Sequence, residues 1–147
     1  VADETTGTGK LRLILVAHDR QLLDVECDAV TVPGREGALG ILPGHTPLMA
    51  MLKVGEVAYS DGKIDHWVAL HEGFVEVNDD VVTVLTESAE LPEEIDLEAA
   101  KEEATLAEKE LQVAESADWM QAQARLEMAL ARISVASRVT KEDLRPR

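Results

Sequence analysis

The chain changes its grammar at Pro92, and that switch constrains the fold more than any other feature of its 147 residues. Upstream, apolar residues come in short runs bounded by Gly, Asn, Asp or Pro, at 10–17, 25–32, 39–42, 54–60, 64–70, 73–77 and 81–86. Such punctuation is the mark of strands. Within 25–32, Val25, Cys27 and Ala29 alternate with Glu26 and Asp28 before Val30 and Val32 change the phase. Asp61-Gly62 is a hairpin signal, and Asn78-Asp79-Asp80 separates the last two runs. Many short aliphatic strands predict a compact β-sandwich over 10–91, because an open sheet would leave too much apolar surface wet.

Downstream, acids crowd the chain and two apolar stripes follow 4-3-4-3 spacing. The first is Ala100, Ala104, Ala107, Leu111 and Ala114; the second is Ala122, Leu126, Ala129, Ile133 and Ala136. This predicts two antiparallel helices forming a hairpin over 92–138, with Asp96 and Asp118 placed to cap them. The fold class is therefore α+β: an N-terminal β-sandwich followed by a C-terminal antiparallel two-helix hairpin. The stripes are mostly alanine, and burial contributes only about 25 cal/mol per Å². The hairpin is thus expected to be weakly held by itself. It either packs permanently on the sandwich or docks there and undocks, and composition leaves both open. Residues 1–9 have no hydrophobic stretch and read as a disordered polar start, not a signal peptide. The polar stretch 139–147 reads as a flexible tail.

Charge and composition exclude several function classes. A net charge of −15 argues against nucleic acid or an anionic membrane surface as partner, since both need a basic face. The single Cys27 forms no internal disulfide, and no apolar run approaches the length of a membrane span. His18, His45, His66 and His71 lack i,i+4 helical spacing, so no metal site and no cofactor is expected. Cys27 falls on the apolar side of its strand, where free cysteine is a small hydrophobe, and no serine sits in a nucleophile elbow. Trp67 is expected in the core, while Trp119 at the hairpin tip is either a packing anchor or a partner contact. The sequence holds no recognisable enzyme.

One segment has shape without chemistry. Gly34, Gly37 and Gly40 run into Ile41-Leu42 and then Pro43-Gly44-His45-Thr46-Pro47. It is no phosphate cradle, because it lacks the Gly-Lys-Ser/Thr ending and leads into a strand, not a helix. From Glu36 to Leu48 it resembles the EGxLGIxPGHxPL signature of the epsilon subunits of bacterial and chloroplast F-type ATP synthases, called delta in mitochondria. Residues 75–89 resemble that family's last hairpin, and Arg132-Ile133-Ser134-Val135-Ala136 its closing helix, so the likeness spans roughly residues 11 to 136.

The resemblance implies a non-catalytic rotor subunit in the central stalk. Its sandwich would bind the gamma subunit and stand on the c-ring, meeting the membrane only through the complex. The hairpin would fold down on the sandwich or extend toward the alpha/beta catalytic head and restrain ATP hydrolysis. The implied gamma and c-ring contacts are Glu36, Ala38, Leu42, Gly44, His45 and Thr46. Ala38 stands where some relatives carry an acid, which weakens any charged ring contact. The regulatory cations on the second helix would be Arg125, Arg132 and Arg138. Some bacterial relatives bind ATP in the folded-down hairpin, through an I/L-D-x-x-R-A motif and arginines on the second helix. Here Asp96 and Arg132 persist, but Ala99 and Met128 replace arginines, so ATP binding is expected to be weak or absent. The implied location is the cytoplasmic face of a bacterial inner membrane, with an organellar counterpart also open. The rival reading, from the residues alone, is a free-standing sandwich that binds a small anionic ligand with the hairpin as lid.

Overall fold

The computed structural model describes residues 9–143, with side chains through residue 138. Most of the expected polar start, and the last residues of the expected tail, lie outside the described residues. In β1 (Leu11–Ala17), alternation sends Leu11, Leu13 and Leu15 into the core and Arg12 outward. The remaining strands are β2 (Gln21–Cys27), β3 (Ala29–Gly34), β4 (Gly37–Ile41), β5 (Leu48–Leu52), β6 (Gly55–Ser60), β7 (Asp65–Leu70), β8 (Gly73–Asn78), β9 (Val81–Thr86) and β10 (Ala89–Glu90).

The hydrogen-bonded path runs β10-β7-β6-β3-β5-β8-β9-β1-β2, with β4 also paired to β3. Among the described residues, the ladder joins its two halves at a single pair, Gly34 of β3 with Leu52 of β5. There Arg35 N donates to Met51 O at 3.1 Å and Lys53 N to Pro33 O at 2.9 Å. The path folds over at this corner, giving one layer from β10, β7, β6, β3 and β4 and a second from β5, β8, β9, β1 and β2. Both layers feed one aliphatic core, including Leu13, Val32, Val57, Leu70, Val75 and Val84. The β-sandwich expected from the sequence is thus present.

The expected single strand at 25–32 is two strands. The chain leaves β2 at Cys27 and enters β3 at Ala29, while Asp28 N donates to Ser60 O at 2.7 Å. The phase change noted in the sequence marks this crossing from one layer to the other. Cys27 is buried facing the core from β2, and Val30 and Val32 face it from β3. The β3–β4 hairpin turns tightly because Gly34 has no Cβ, which would lie 2.6 Å from Gly37 O.

A 3-10 turn at Pro92–Glu94 leads into α1 (Leu97–Val113) and then α2 (Ala117–Asp143). Asp96 caps α1, accepting a hydrogen bond from Ala99 N at 3.0 Å. Asp118 is not the second cap. Ser116 takes the turn at φ 52°, α2 starts at Ala117, and Asp118 lies in its first turn, where a carboxylate suits the dipole. The helix also continues to Asp143, past residue 138, because no breaker intervenes before Pro146. Ala100, Ala104 and Ala107 of α1, and Ala122 and Ala129 of α2, are buried, as the alanine stripes predict.

Candidate functional site

The segment with the family-like signature is shaped by one turn. Leu42 O accepts from His45 N at 3.1 Å, Pro43 fixes φ, and Gly44 sits at φ 85°. Proline followed by glycine at positive φ is the chemistry of a type II turn. It lifts Leu42 out to 62% exposure and leaves Thr46 exposed and His45 half-buried, with His45 Nδ1 2.6 Å from Thr46 O. Glu36 and Ala38 are exposed at the other end of β4, in the β3–β4 hairpin. At about 3.4 Å per strand residue, Ala38 and Leu42 are roughly 14 Å apart. The six loop residues therefore form two groups rather than one.

A feature the sequence reading missed connects them. The strand β5 starts beside the His45 turn and ends at the Gly34 corner, and it turns Met49 and Met51 outward at 69% and 52% exposure. Met51 pairs across to Phe74, and Phe74 to Leu85, both also exposed. The second layer thus presents an uncovered apolar stripe on its outer face. The signal lay in the run Leu48–Leu52, whose unbroken apolarity hid the alternation.

The outer face of the first layer is covered by α2. Met128 and Val135 pack on Ala69, flanked by Val54, Trp67 and Ile95. Trp67 is therefore not in the sandwich core; it lies under the hairpin, because its strand position points away from Val68 and Leu70. Around this small apolar contact stand the three arginines singled out in the sequence. Arg132 reaches Glu90 of β10 at 2.6 Å, and Arg138 reaches Glu56 of β6 at 2.7 Å. Ser134 donates to the same Glu56 at 3.0 Å, and the Arg138 guanidinium lies 4.9 Å from the Trp67 ring centroid. Arg125 instead ties the two helices, bonding Glu103 at 2.7 Å and Glu110 at 2.6 Å. So Arg132 and Arg138 fasten the hairpin to the sandwich, and Arg125 fastens the hairpin to itself.

Between hairpin and sandwich lies a cavity of about 550 Å³ lined by His71, Glu90, Glu94, Asp96, Ala99, Glu103, Arg125, Met128 and Arg132, among others. It brings together Asp96, Ala99, Met128 and Arg132 of the nucleotide-motif match. Its arginines are already engaged by Glu103, Glu110 and Glu90, and Asp96 spends its carboxylate on the helix cap. His71 Nδ1 is buried 3.3 Å from Glu87 without hydrogen-bond geometry. An anion entering here meets carboxylates whose counter-charges are taken, which disfavours both ATP and the anionic ligand of the rival reading. Among the described residues, no group of three or more His, Cys, Asp or Glu converges as a metal site. No helix among them is long and apolar enough to cross a membrane.

Comparison with known proteins gives a consistent result. Residues 10–92 match the family model "ATP synthase, Delta/Epsilon chain, beta-sandwich domain", and residues 93–137 match "ATP synthase, Delta/Epsilon chain, long alpha-helix domain". The ATP synthase epsilon chain of Geobacter sp. (strain M21) is 42% identical over 134 residues, covering 90% of this chain and 97% of that one. ATP synthase epsilon chain 2 of Syntrophotalea carbinolica is 43% identical over 131 residues, covering 88% and 95%. Among solved structures, a chain of the Euglena gracilis mitochondrial ATP synthase OSCP/F1/c-ring assembly superposes with a TM-score of 0.77. It is 27% identical, and the match covers 88% of this chain and 82% of that one. A chain from the Tetrahymena thermophila mitochondrial ATP synthase central stalk/c-ring structure shares the fold at a TM-score of 0.59 and 13% identity, covering 89% and 96%.

Proposed function

This chain belongs to the ATP synthase delta/epsilon family, and from that premise we propose that it is a non-catalytic rotor subunit of an F-type ATP synthase. It joins gamma to the c-ring through its sandwich and restrains ATP hydrolysis through its hairpin. The Leu42–Thr46 turn and the Glu36–Ala38 hairpin end serve as two contact points, with the Met49, Met51, Phe74 and Leu85 stripe as the apolar surface between and beside them. An uncovered stripe of this kind marks a protein contact more often than an idle surface. The bacterial sources of these relatives favour the cytoplasmic face of a bacterial inner membrane as the location.

One observation carries the regulatory half of the proposal: the hairpin is held to the sandwich by a small apolar contact rimmed by partly exposed arginine pairs. The apolar contact beneath is small, and partly exposed ion pairs contribute roughly 0–1 kcal/mol each. Docking also leaves Arg138 Nε buried without a hydrogen-bond partner, which opposes it. A hairpin held this way can leave, and leaving frees Arg132 and Arg138 for acidic surface on the catalytic head.

The experiment is ATP hydrolysis by a catalytic head lacking this subunit, with either the full chain or a version ending at Leu91 added back. Slower hydrolysis with the full chain alone is expected. If both versions bind and the rates agree, the hairpin is structural and the braking role is wrong. If neither well-folded version binds gamma, the stalk assignment itself falls.

A further inference from the structure

The β8–β9 hairpin turns through Asp79 and Asp80, at φ 49° and 62°. Two consecutive left-handed residues fit a tight turn matched to strand twist, a place usually given to glycine or asparagine. A non-glycine residue in this region costs of order 1 kcal/mol and persists where its surroundings hold it. Asp80 is held at both ends. Its backbone O accepts from Arg12 N at 2.9 Å, and its Oδ1 accepts from Gly44 N at 2.7 Å. The second bond joins two turns 36 residues apart in sequence. In the Leu42–His45 turn, the internal hydrogen bond uses His45 N–H and leaves Gly44 N–H pointing away. Asp80 takes that donor with a charge-assisted bond. Gly44, His45 and Asp80 then line one cleft with Pro43, Pro47 and Asp79.

We propose that Asp80 is a positioning residue for stalk assembly: its carboxylate locks the Pro43-Gly44 turn in the orientation that presents Leu42 and His45 to the rotor partner. The inference rests on the proposed role of that turn as a contact. Without the tie, the turn keeps its own hydrogen bond but gains freedom about its two flanking strands. Binding must then order it, which lowers affinity without changing the contacts finally made.

Asp80→Gly tests this cleanly, because glycine tolerates φ 62° and the β8–β9 hairpin is not weakened by the change. Asp80→Asn keeps an acceptor oxygen and tolerance of the left-handed region, so it serves as the rescue. Two readouts are needed: amide exchange at Gly44, and affinity for a purified gamma–c-ring assembly stripped of this chain. Asp80→Gly is expected to speed Gly44 exchange at least tenfold and weaken binding several-fold, with the melting temperature little changed because relief of the left-handed residue offsets much of the lost bond. Asp80→Asn is expected to fall between it and the native chain. Unchanged Gly44 exchange in Asp80→Gly overturns the tie, and faster exchange with native affinity overturns the positioning role. Leu42→Ala and His45→Ala separate the premise from the inference. If both bind as the native chain does, the turn is not a contact and the stalk reading of it fails, whatever Gly44 exchange reports.

Discussion

Glu94 accepts from Nη1 and Nη2 of the Arg20 guanidinium, at 2.6 and 2.7 Å, and from the Leu91 backbone N–H at 2.9 Å. Arg20 first, and the Leu91 N–H second, hold its carboxyl down to about 2. In an unfolded chain the group titrates near about 4.3. A depressed carboxylate contributes stability that is fully present above the unfolded value and is lost as pH falls through the folded one. Glu94 therefore stabilises the chain above roughly pH 4.5, and that contribution disappears on the way to pH 2. Asp61 works in the same window, held to about 2 by the N–H groups of Ile64 and Lys63 and by His66. Glu94→Gln should lower the melting temperature at neutral pH and flatten its decline between pH 4.5 and 2, the two proteins converging at the acid end. Parallel curves throughout would show that the Arg20 pair is not what depresses this group. Which single residues could be read from the sequence follows from how local their reasons are. Cys27 is buried because alternation alone places it inward, and Asp96 caps because it precedes a helical stripe. Glu94 and Asp80 find their partners in distant turns, at separations of 74 and 36 residues, which no local pattern encodes.

Among the elements, α2 illustrates what periodicity can and cannot disclose. Its alanine stripe records the seam against α1, and the sequence shows it. A second buried side, Met128 and Val135, meets the sandwich, but Arg132 lies between them and makes that side look polar. The arginine belongs there because Glu90 stands opposite on β10, a two-residue strand too short to leave a sequence signature. The strand β5 escaped for the opposite reason, since Met49 and Met51 face outward where polar residues would normally reveal alternation. The docking of α2 gives a prediction at this scale. Arg138→Ala removes the contact with the Trp67 ring and the Glu56 pair, and also relieves the buried Nε. A cation–π contact and a partly exposed pair, less that relief, come to about 1 kcal/mol. That corresponds to roughly a fivefold shift toward the undocked hairpin. Amide exchange should quicken in α2 and Trp67 emission should shift red, while β1, β8 and β9 keep their protection. Equal loss of protection in those strands would mean that the hairpin and sandwich unfold as one unit.

The molecule as a whole is built on two unequal cores. The larger draws its buried members from residues 11–89 and needs nothing from the helices. The smaller is shared, with Ala69, Trp67 and Val54 from the sandwich side under Met128 and Val135. The cavity between the two parts is lined by carboxylates with its arginines occupied, so titration of the whole chain with ATP should give no binding in the micromolar range; a micromolar affinity would require those pairs to open for the ligand. Unequal cores also imply unequal autonomy. A chain ending at Leu91 keeps every buried member of the large core and should unfold cooperatively, with a far-UV spectrum of strands. It will be less soluble, because Trp67 and Ala69 lose their cover. In a piece beginning at Pro92, the two helices are joined by an alanine seam and by Arg125's bonds to Glu103 and Glu110. Alanine buries little area, and isolated helices near the length of the 17-residue α1 are marginal in water. Its helicity at 25 °C should fall well below that of the same segment in the full chain. The comparison bears directly on regulation. If the hairpin piece is mostly unfolded alone, a hairpin that leaves the sandwich must find another surface at once, and the catalytic head becomes part of what keeps it helical. If the piece is fully helical alone, the hairpin can stand undocked without a partner, and release alone would not commit it to inhibition.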